Sequence, residues 1–150
     1  MTPSFPAALR LSIAVGLAAF AGGAALAEIG QIKVAKGQVS VERAGQALPG
    51  QVGLLLEAQD VVRTGADGSV GITMRDNSLL SAGPNSIVVL ERFDFDATTN
   101  QGRFDSRLDK GTLAVLSGRL AKQSPQAMTV RTPSALLGVR GTEFVVAVEP

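Results

Sequence analysis

The chain predicts an all-β domain built of short strands, placed behind an export leader. Three observations carry that prediction. From Gly30 onward, β-favouring runs alternate with Gly, Asn, Asp and Pro. No stretch of the chain sustains an apolar repeat of helical period. A unit of a turn pair, a serine and an apolar residue recurs at Asp67-Gly68-Ser69-Val70, Asp76-Asn77-Ser78-Leu79 and Pro84-Asn85-Ser86-Ile87, the spacing that strands of about five residues joined by tight turns produce.

The leader comes first. Leu11 to Ala27 carries no charge, follows Arg10 and ends in the small-x-small tripeptide Ala25-Leu26-Ala27, the pattern of a secretory signal cleaved after Ala27. The division is thus a signal peptide over 1–27 and one domain over 28–150. A spanning helix needs about 20 predominantly apolar residues, and this segment is short and rich in Ala and Gly, so an uncleaved anchor is the weaker reading. Absence of cysteine removes a lipid-modified anchor. A periplasmic or secreted protein, with no stable membrane anchor after cleavage, is the expectation.

Within the domain, Ile32 and Val34 are expected on one face of a strand with Lys33 on the other, then Val39 and Val41 against Ser40 and Glu42. Ala44-Gly45-Gln46 reads as a turn and Pro49-Gly50 as further punctuation. Gly53 to Gln59 reads as a turn or short helix leading into Asp60-Val61-Val62-Arg63-Thr64-Gly65. Val70, Ile72 and Met74 are expected to face a core, with Thr73 and Arg75 towards water. In the repeated unit the serine is placed to bond a nearby backbone group, and Lys110-Gly111-Thr112-Leu113 echoes the unit weakly. Ile87-Val88-Val89-Leu90 lacks alternation, as in a strand covered on both faces. A hairpin follows, with Ala97 to Gly102 as its loop and Phe93, Phe95 and Phe104 on the core side. Gly111 to Ser117 and Ala127 to Arg131 complete the strands. These elements fit either a compact two-layer sandwich or a short β-solenoid.

Composition narrows the chemistry. The chain has no His, Cys, Tyr or Trp, which leaves no imidazole or thiol for nucleophilic triads and none of the usual zinc ligands. With Arg10 lost to the leader, the 14 basic residues no longer exceed the 13 acidic ones, and the mature chain is formally neutral. Scattered basic residues argue against nucleic acid, which needs a concentrated patch. Without disulfides, burial must supply the stability. Asp94, Asp96 and Asp105 are the candidate acids for glycoside cleavage or calcium binding, yet no calcium-loop spacing is present and positions 94 and 96 flank Phe95 as a solvated strand face does. No cofactor or metal is expected.

The most specific string is Val130-Arg131-Thr132-Pro133-Ser134-Ala135-Leu136-Leu137-Gly138-Val139-Arg140-Gly141-Thr142-Glu143-Phe144. It resembles the closing signature of the FecR-type extracytoplasmic domain. Asp60 to Gly65, Gly68-Ser69-Val70, Asn77-Ser78-Leu79 and Gly111-Thr112-Leu113 are similar to that family's upstream pattern, so the resemblance covers about residues 38–148. It implies an all-β domain of bacterial envelope proteins, among them regulators that relay a transporter signal to a sigma factor, and it does not imply an enzyme. Those regulators carry a cytoplasmic sigma-binding region and a spanning helix before the domain, whereas here ten residues precede the apolar segment. Family domains also run on with further strands after the Glu143-Phe144 position. The expectation is a trimmed domain or an edge open to a partner.

Within the signature, Thr132, Pro133, Gly138, Val139, Arg140, Gly141, Thr142, Glu143 and Phe144 read as structural. Gly138 and Gly141 suit a sharp turn of positive φ, and Arg140 is placed to bridge backbone carbonyls or a carboxylate such as Glu143. The function that follows is an exported, non-catalytic interaction or sensing module that binds another envelope protein, by strand addition among other modes. The alternative is a secreted or cell-surface module that adheres to glycan.

Overall fold

The computed structural model describes residues 27–124, 126–139 and 143–149; the leader up to residue 26 lies outside them. The strands are β1 (Glu28–Lys36), β2 (Val39–Arg43), β3 (Gln46–Pro49), β4 (Leu55–Glu57), β5 (Val61–Thr64), β6 (Ser69–Met74), β7 (Leu79–Ala82), β8 (Ile87–Asp96), β9 (Gln101–Leu116), β10 (Met128–Arg131), β11 (Leu136–Gly138) and β12 (Glu143–Val148), with a short helix α1 (Arg119–Gln123) between β9 and β10. The all-β expectation holds.

One long strand organises the rest. Residues 101–110 of β9 pair with β8, and Phe104 to Arg107 also pair with β10. Residues 111–116 pair with β12, and Leu113 to Leu116 also pair with β7. The single sheet therefore has two arms hinged on β9. The β6 arm runs β4-β1-β6-β7-β9-β12, and the β8 arm runs β3-β2-β5-β8-β9-β10-β11. The result is a curled antiparallel sheet, a half-barrel. Among the described pairings only β9 with β10 is parallel, so the regular parallel rungs of a solenoid are not what joins the repeated units.

The core lies between the arms. Ile32, Ile72, Leu80, Leu113 and Val115 from one meet Val41, Val62, Leu90, Phe104, Leu108 and Met128 from the other in one cluster. Each such side chain, fully withdrawn from water, contributes about 1.5–3 kcal/mol. Val70, Ile72 and Met74 point inward as expected. Phe93 and Phe104, directly opposed across the β8–β9 hairpin, meet edge to face at 5.4 Å between ring centroids. Ala44 (φ 49°) and Gly45 (φ 78°) make the two-residue β2–β3 turn, the positive-φ geometry that matches strand twist.

Four local expectations are corrected. Val34 does not share the core face with Ile32: the β1–β6 register shifts between them, and this bulge leaves Val34 47% exposed over Gly71 while Ala35 packs against the core. Leu55 to Glu57 is not helical but pairs with β1 as β4. Lys110-Gly111 is not a turn. Gly111, at φ 89°, is a bulge inside β9 where the register to β8 shifts. Gly118 to Gln126, left without structure by the pattern, contains α1.

The repeated serines bond farther than the sequence implies. Ser86 Oγ accepts from Thr112 N at 3.0 Å, and Ser78 Oγ accepts from Gly118 N at 3.0 Å. Both serines are fully buried; they tie turns to the two ends of the β9 segment that belongs to the β6 arm.

Candidate functional site

The signature string spans the two arms. β10 lies parallel to β9, and Thr132 closes the turn that follows: its N–H donates to Ala135 O at 2.8 Å and its Oγ accepts from Ala135 N at 3.1 Å. This threonine is buried while Pro133 and Ser134 project outward, and β11 returns antiparallel along β10. Val139 is buried, and its N–H donates to Met128 O at 3.0 Å. Arg140, Gly141 and Thr142 lie outside the described residues, so the proposed bridge from Arg140 does too. Beyond them Glu143 is exposed and Phe144 packs against the core. Gly138 departs from the turn expectation: it sits in β11 without positive φ, and a Cβ there would meet nothing within 4 Å.

The two arms have opposite outer faces. On the β8 arm, charges form a ladder. Arg92 faces Asp105 and Asp94 faces Arg103 across the strand pair, opposed signs that favour pairing. Along the strands, Arg92–Asp94, Arg103–Asp105 and Arg107–Asp109 close at 2.7 Å, Arg107 reaches Glu91 at 3.1 Å, and Arg63 reaches Glu42 at 3.3 Å. Burial alone would raise the Asp105 carboxyl; hydrogen bonds from Arg103 and Thr129, with the charges of Arg103 and Arg92, outweigh it and hold the group below the usual carboxylate range.

On the β6 arm, the outward positions of the three central strands are Ser69, Gly71 and Thr73, then Leu79 and Ser81, then Thr112, Ala114 and Leu116. None is charged. Leu79, Leu116, Val34, Leu55 and Val145 stand 41–67% exposed on this arm, a concentration of apolar surface that soluble proteins ordinarily cover.

The sheet edges also differ. β4 and β11 have three residues each and β3 ends in Pro49, devices that blunt an edge against further pairing. β12 has six residues, pairs only with β9 among the described strands, and carries Glu143 as its only charge. Among the described strands it is the longest that stands at an edge of the sheet over its whole length without such a device.

The candidate acids do not converge. Asp94 and Asp96 point to solvent on the ladder face, and Asp105 is engaged by Arg103 and by Thr129 Oγ1 at 2.6 Å. Among the described residues no group of three or more His, Cys, Asp or Glu is placed to hold a metal ion. Two other acids, which the sequence shows only as parts of the Asp60 to Gly65 string and of the repeated unit, are buried. Asp60 receives Arg43 at 2.9 and 2.7 Å and Glu57 N at 2.9 Å, tying β2 to β4. Asp76 accepts from Ser78 N at 3.0 Å, Ser78 Oγ at 2.7 Å and Leu120 N at 3.2 Å. Their amide and guanidinium donors make them structural locks, the state in which buried carboxylates persist. An Asp two residues before a Ser signals the second of these locally; its partner 44 residues away is visible only in the fold.

The sequence model of the family described as FecR protein matches residues 60–150, from the buried Asp60 through the whole signature string. No curated protein and no solved structure matches the chain.

Proposed function

The chain belongs to the FecR protein family, and from that footing we propose that it is an exported, non-catalytic module that senses or relays by binding another protein of the bacterial envelope. The family is one of envelope-associated signalling and regulation. Among the described residues no helix is long and apolar enough to cross a membrane.

The observation that carries the binding role is β12. Its free side offers unpaired backbone groups along six residues, and an extended segment of a partner adds to such an edge by main-chain hydrogen bonding. The signature string delivers this strand to β9, which gives the family's most specific residues a reason to be there: they place a receptive edge rather than a reacting group.

A photocrosslinking amino acid at Ala147, an exposed position of β12, tests the reading in growing cells. One discrete adduct with an envelope protein is expected, and none from the same group at Ala47 on the blunted β3 edge. Retention of the protein inside the cell with its leader intact contradicts export. Release to the medium with retention on polysaccharide, and no adduct, returns the adhesive alternative.

A further inference from the structure

Removal of the leader and folding of the domain compete for the same few residues. We propose that the bond between Ala27 and Glu28 is cut before β1 enters the sheet, and that a chain which folds first is protected from the cut and keeps its leader. This order rests on reading residues 1–27 as a leader, and adds a second form of the protein to that reading.

No slack separates the bond from the fold. Glu28, the first residue past it, pairs with Glu57 of β4. Ile29, the second, is 3% exposed in the core cluster, and its carbonyl accepts from Arg75 N at 3.0 Å. Gly30, the third, lies between Leu56 of β4 and Met74 of β6, so tightly that a Cβ on it would stand 2.9 Å from Met74 Sδ and 3.0 Å from Thr73 O. β1 thus begins as an interior strand with a neighbour on each edge, and its first pair follows the bond directly.

Hydrolysis of this bond takes one water and leaves a carboxylate on Ala27 and an ammonium on Glu28. A peptidase acts on chain that is exposed and unpaired, and an extended segment is held through the same main-chain groups that a sheet uses. Around residues 28–30 those groups are engaged by β4 and β6, and Ile29 is held by the core. Cutting the folded chain therefore requires an opening that lifts these residues off their neighbours and returns Ile29 to water, and the rarity of that opening sets the rate. An unfolded chain meets no such barrier. Docking of β1, in contrast, does not require the cut, because Ala27 is exposed and leaves room for chain on its far side. The uncut form accordingly carries the same β12 edge as the released one and differs in remaining joined to its leader.

The test uses the full-length chain, leader included, in detergent with purified signal peptidase, and identifies the product by N-terminal sequencing. Three forms are compared: the folded chain, a chain kept unfolded by Ile72→Asp with Leu108→Asp, which place charges in the core, and a folded chain with a short flexible spacer, glutamate first, inserted between Ala27 and Glu28. The unfolded chain is expected to be cut after Ala27, the folded chain at least about tenfold more slowly, and the spacer chain within about twofold of the unfolded one. Ile29→Ala, with its folding checked by thermal unfolding, is expected to speed cutting of the folded chain about fivefold. Equal rates for the folded chain and the spacer chain overturn the proposal, as does a folded chain cut as fast as the unfolded one. Absence of cutting after Ala27 in all three forms overturns the leader reading, and this order of events with it.

Discussion

β9 shows the contrast between the two outer faces within one strand. Before Gly111 its outward residues include Arg103, Asp105, Arg107 and Asp109; after it they are Thr112, Ala114 and Leu116. The strand is continuous, and its core side carries Phe104, Leu108, Leu113 and Val115 with the buried Ser106 among them, yet the solvent side changes from a ladder of paired charges to an uncharged surface. Along β8 and β9 the β8 arm is a solvated surface on which Arg92, Asp94, Arg103, Asp105, Arg107 and Asp109 each have a partner of opposite sign, while β11 at its edge exposes Leu136 and Leu137. On the β6 arm the central outward positions carry no charge, and among the described strands this arm also holds the six-residue edge β12. Chain chemistry thus separates a half whose outer charges are largely paired from a half whose central outward positions carry none.

The boundary itself is the most sensitive point. A Cβ on Gly111 would lie 2.6 Å from Ser86 Cα, and the residue's φ of 89° is strained for any other side chain. Gly111→Val is expected to cost about 3 kcal/mol or more, a fall of roughly 10 °C in Tm for a domain of this size, measured by thermal unfolding. It also removes the bulge that turns β9 from one arm to the other.

Next comes the ladder's half-buried member. Asp105→Asn weakens bonds from Arg103 and Thr129 and is expected to cost about 1–2 kcal/mol in denaturant unfolding. Its carboxyl is held below the ordinary value, so the stability it contributes is complete above the unfolded-state value of about 3.9 and is lost as pH falls through the lower folded value. The wild type should shed this share on acidification below about pH 4, whereas Asp105→Asn should show no such share. Rising stability of the wild type over that interval, from this group, would contradict the assigned charge partners.

The exposed rungs matter least among the charges. Arg92 and Asp94 are each 60% exposed in their side chains, and Arg92→Ala should change stability by less than about 0.5 kcal/mol. A large loss would mean that the ladder supports the fold rather than merely solvating it. Gly138→Ala should be neutral or slightly stabilising, by at most about 1 kcal/mol, because the position is extended and open. The same change at Gly111 is predicted to be costly, which separates the glycine of the hinge from the glycine of the signature.

Much of this was legible before any coordinates. Alternation at Val70, Ile72 and Met74 gave the inward face of β6, the flanking phenylalanines gave the β8–β9 hairpin, and Ala44-Gly45 gave the β2–β3 turn. The local pattern failed where one residue type serves two purposes. Glycine after lysine at 110–111 satisfies a bulge as well as a turn, and the difference lies in whether the strands on both sides find partners. Leu54 to Glu57 has a composition compatible with helix, and pairing with β1 decided for strand. Val34 was misplaced because a bulge reverses alternation without altering composition. The uncharged face could not be read at all from sequence order, since Gly71, Ser81 and Ala114 become neighbours only through the β6–β7 and β7–β9 registers. The signature string was visible as a string; its role in carrying the chain from one arm's edge to the other's was not.

The chain contains no cysteine, so single cysteines can report on each face in living cells. Ala147→Cys and Asp94→Cys, both at exposed outward positions, would be challenged with a maleimide that does not cross the inner membrane, in intact cells and in dilute purified protein. The account predicts that both react in dilute solution, and that in cells Asp94→Cys reacts as fast as before while Ala147→Cys on β12 is protected. Equal reactivity of the two positions in cells, or no reaction of either until the cells are lysed, would contradict it.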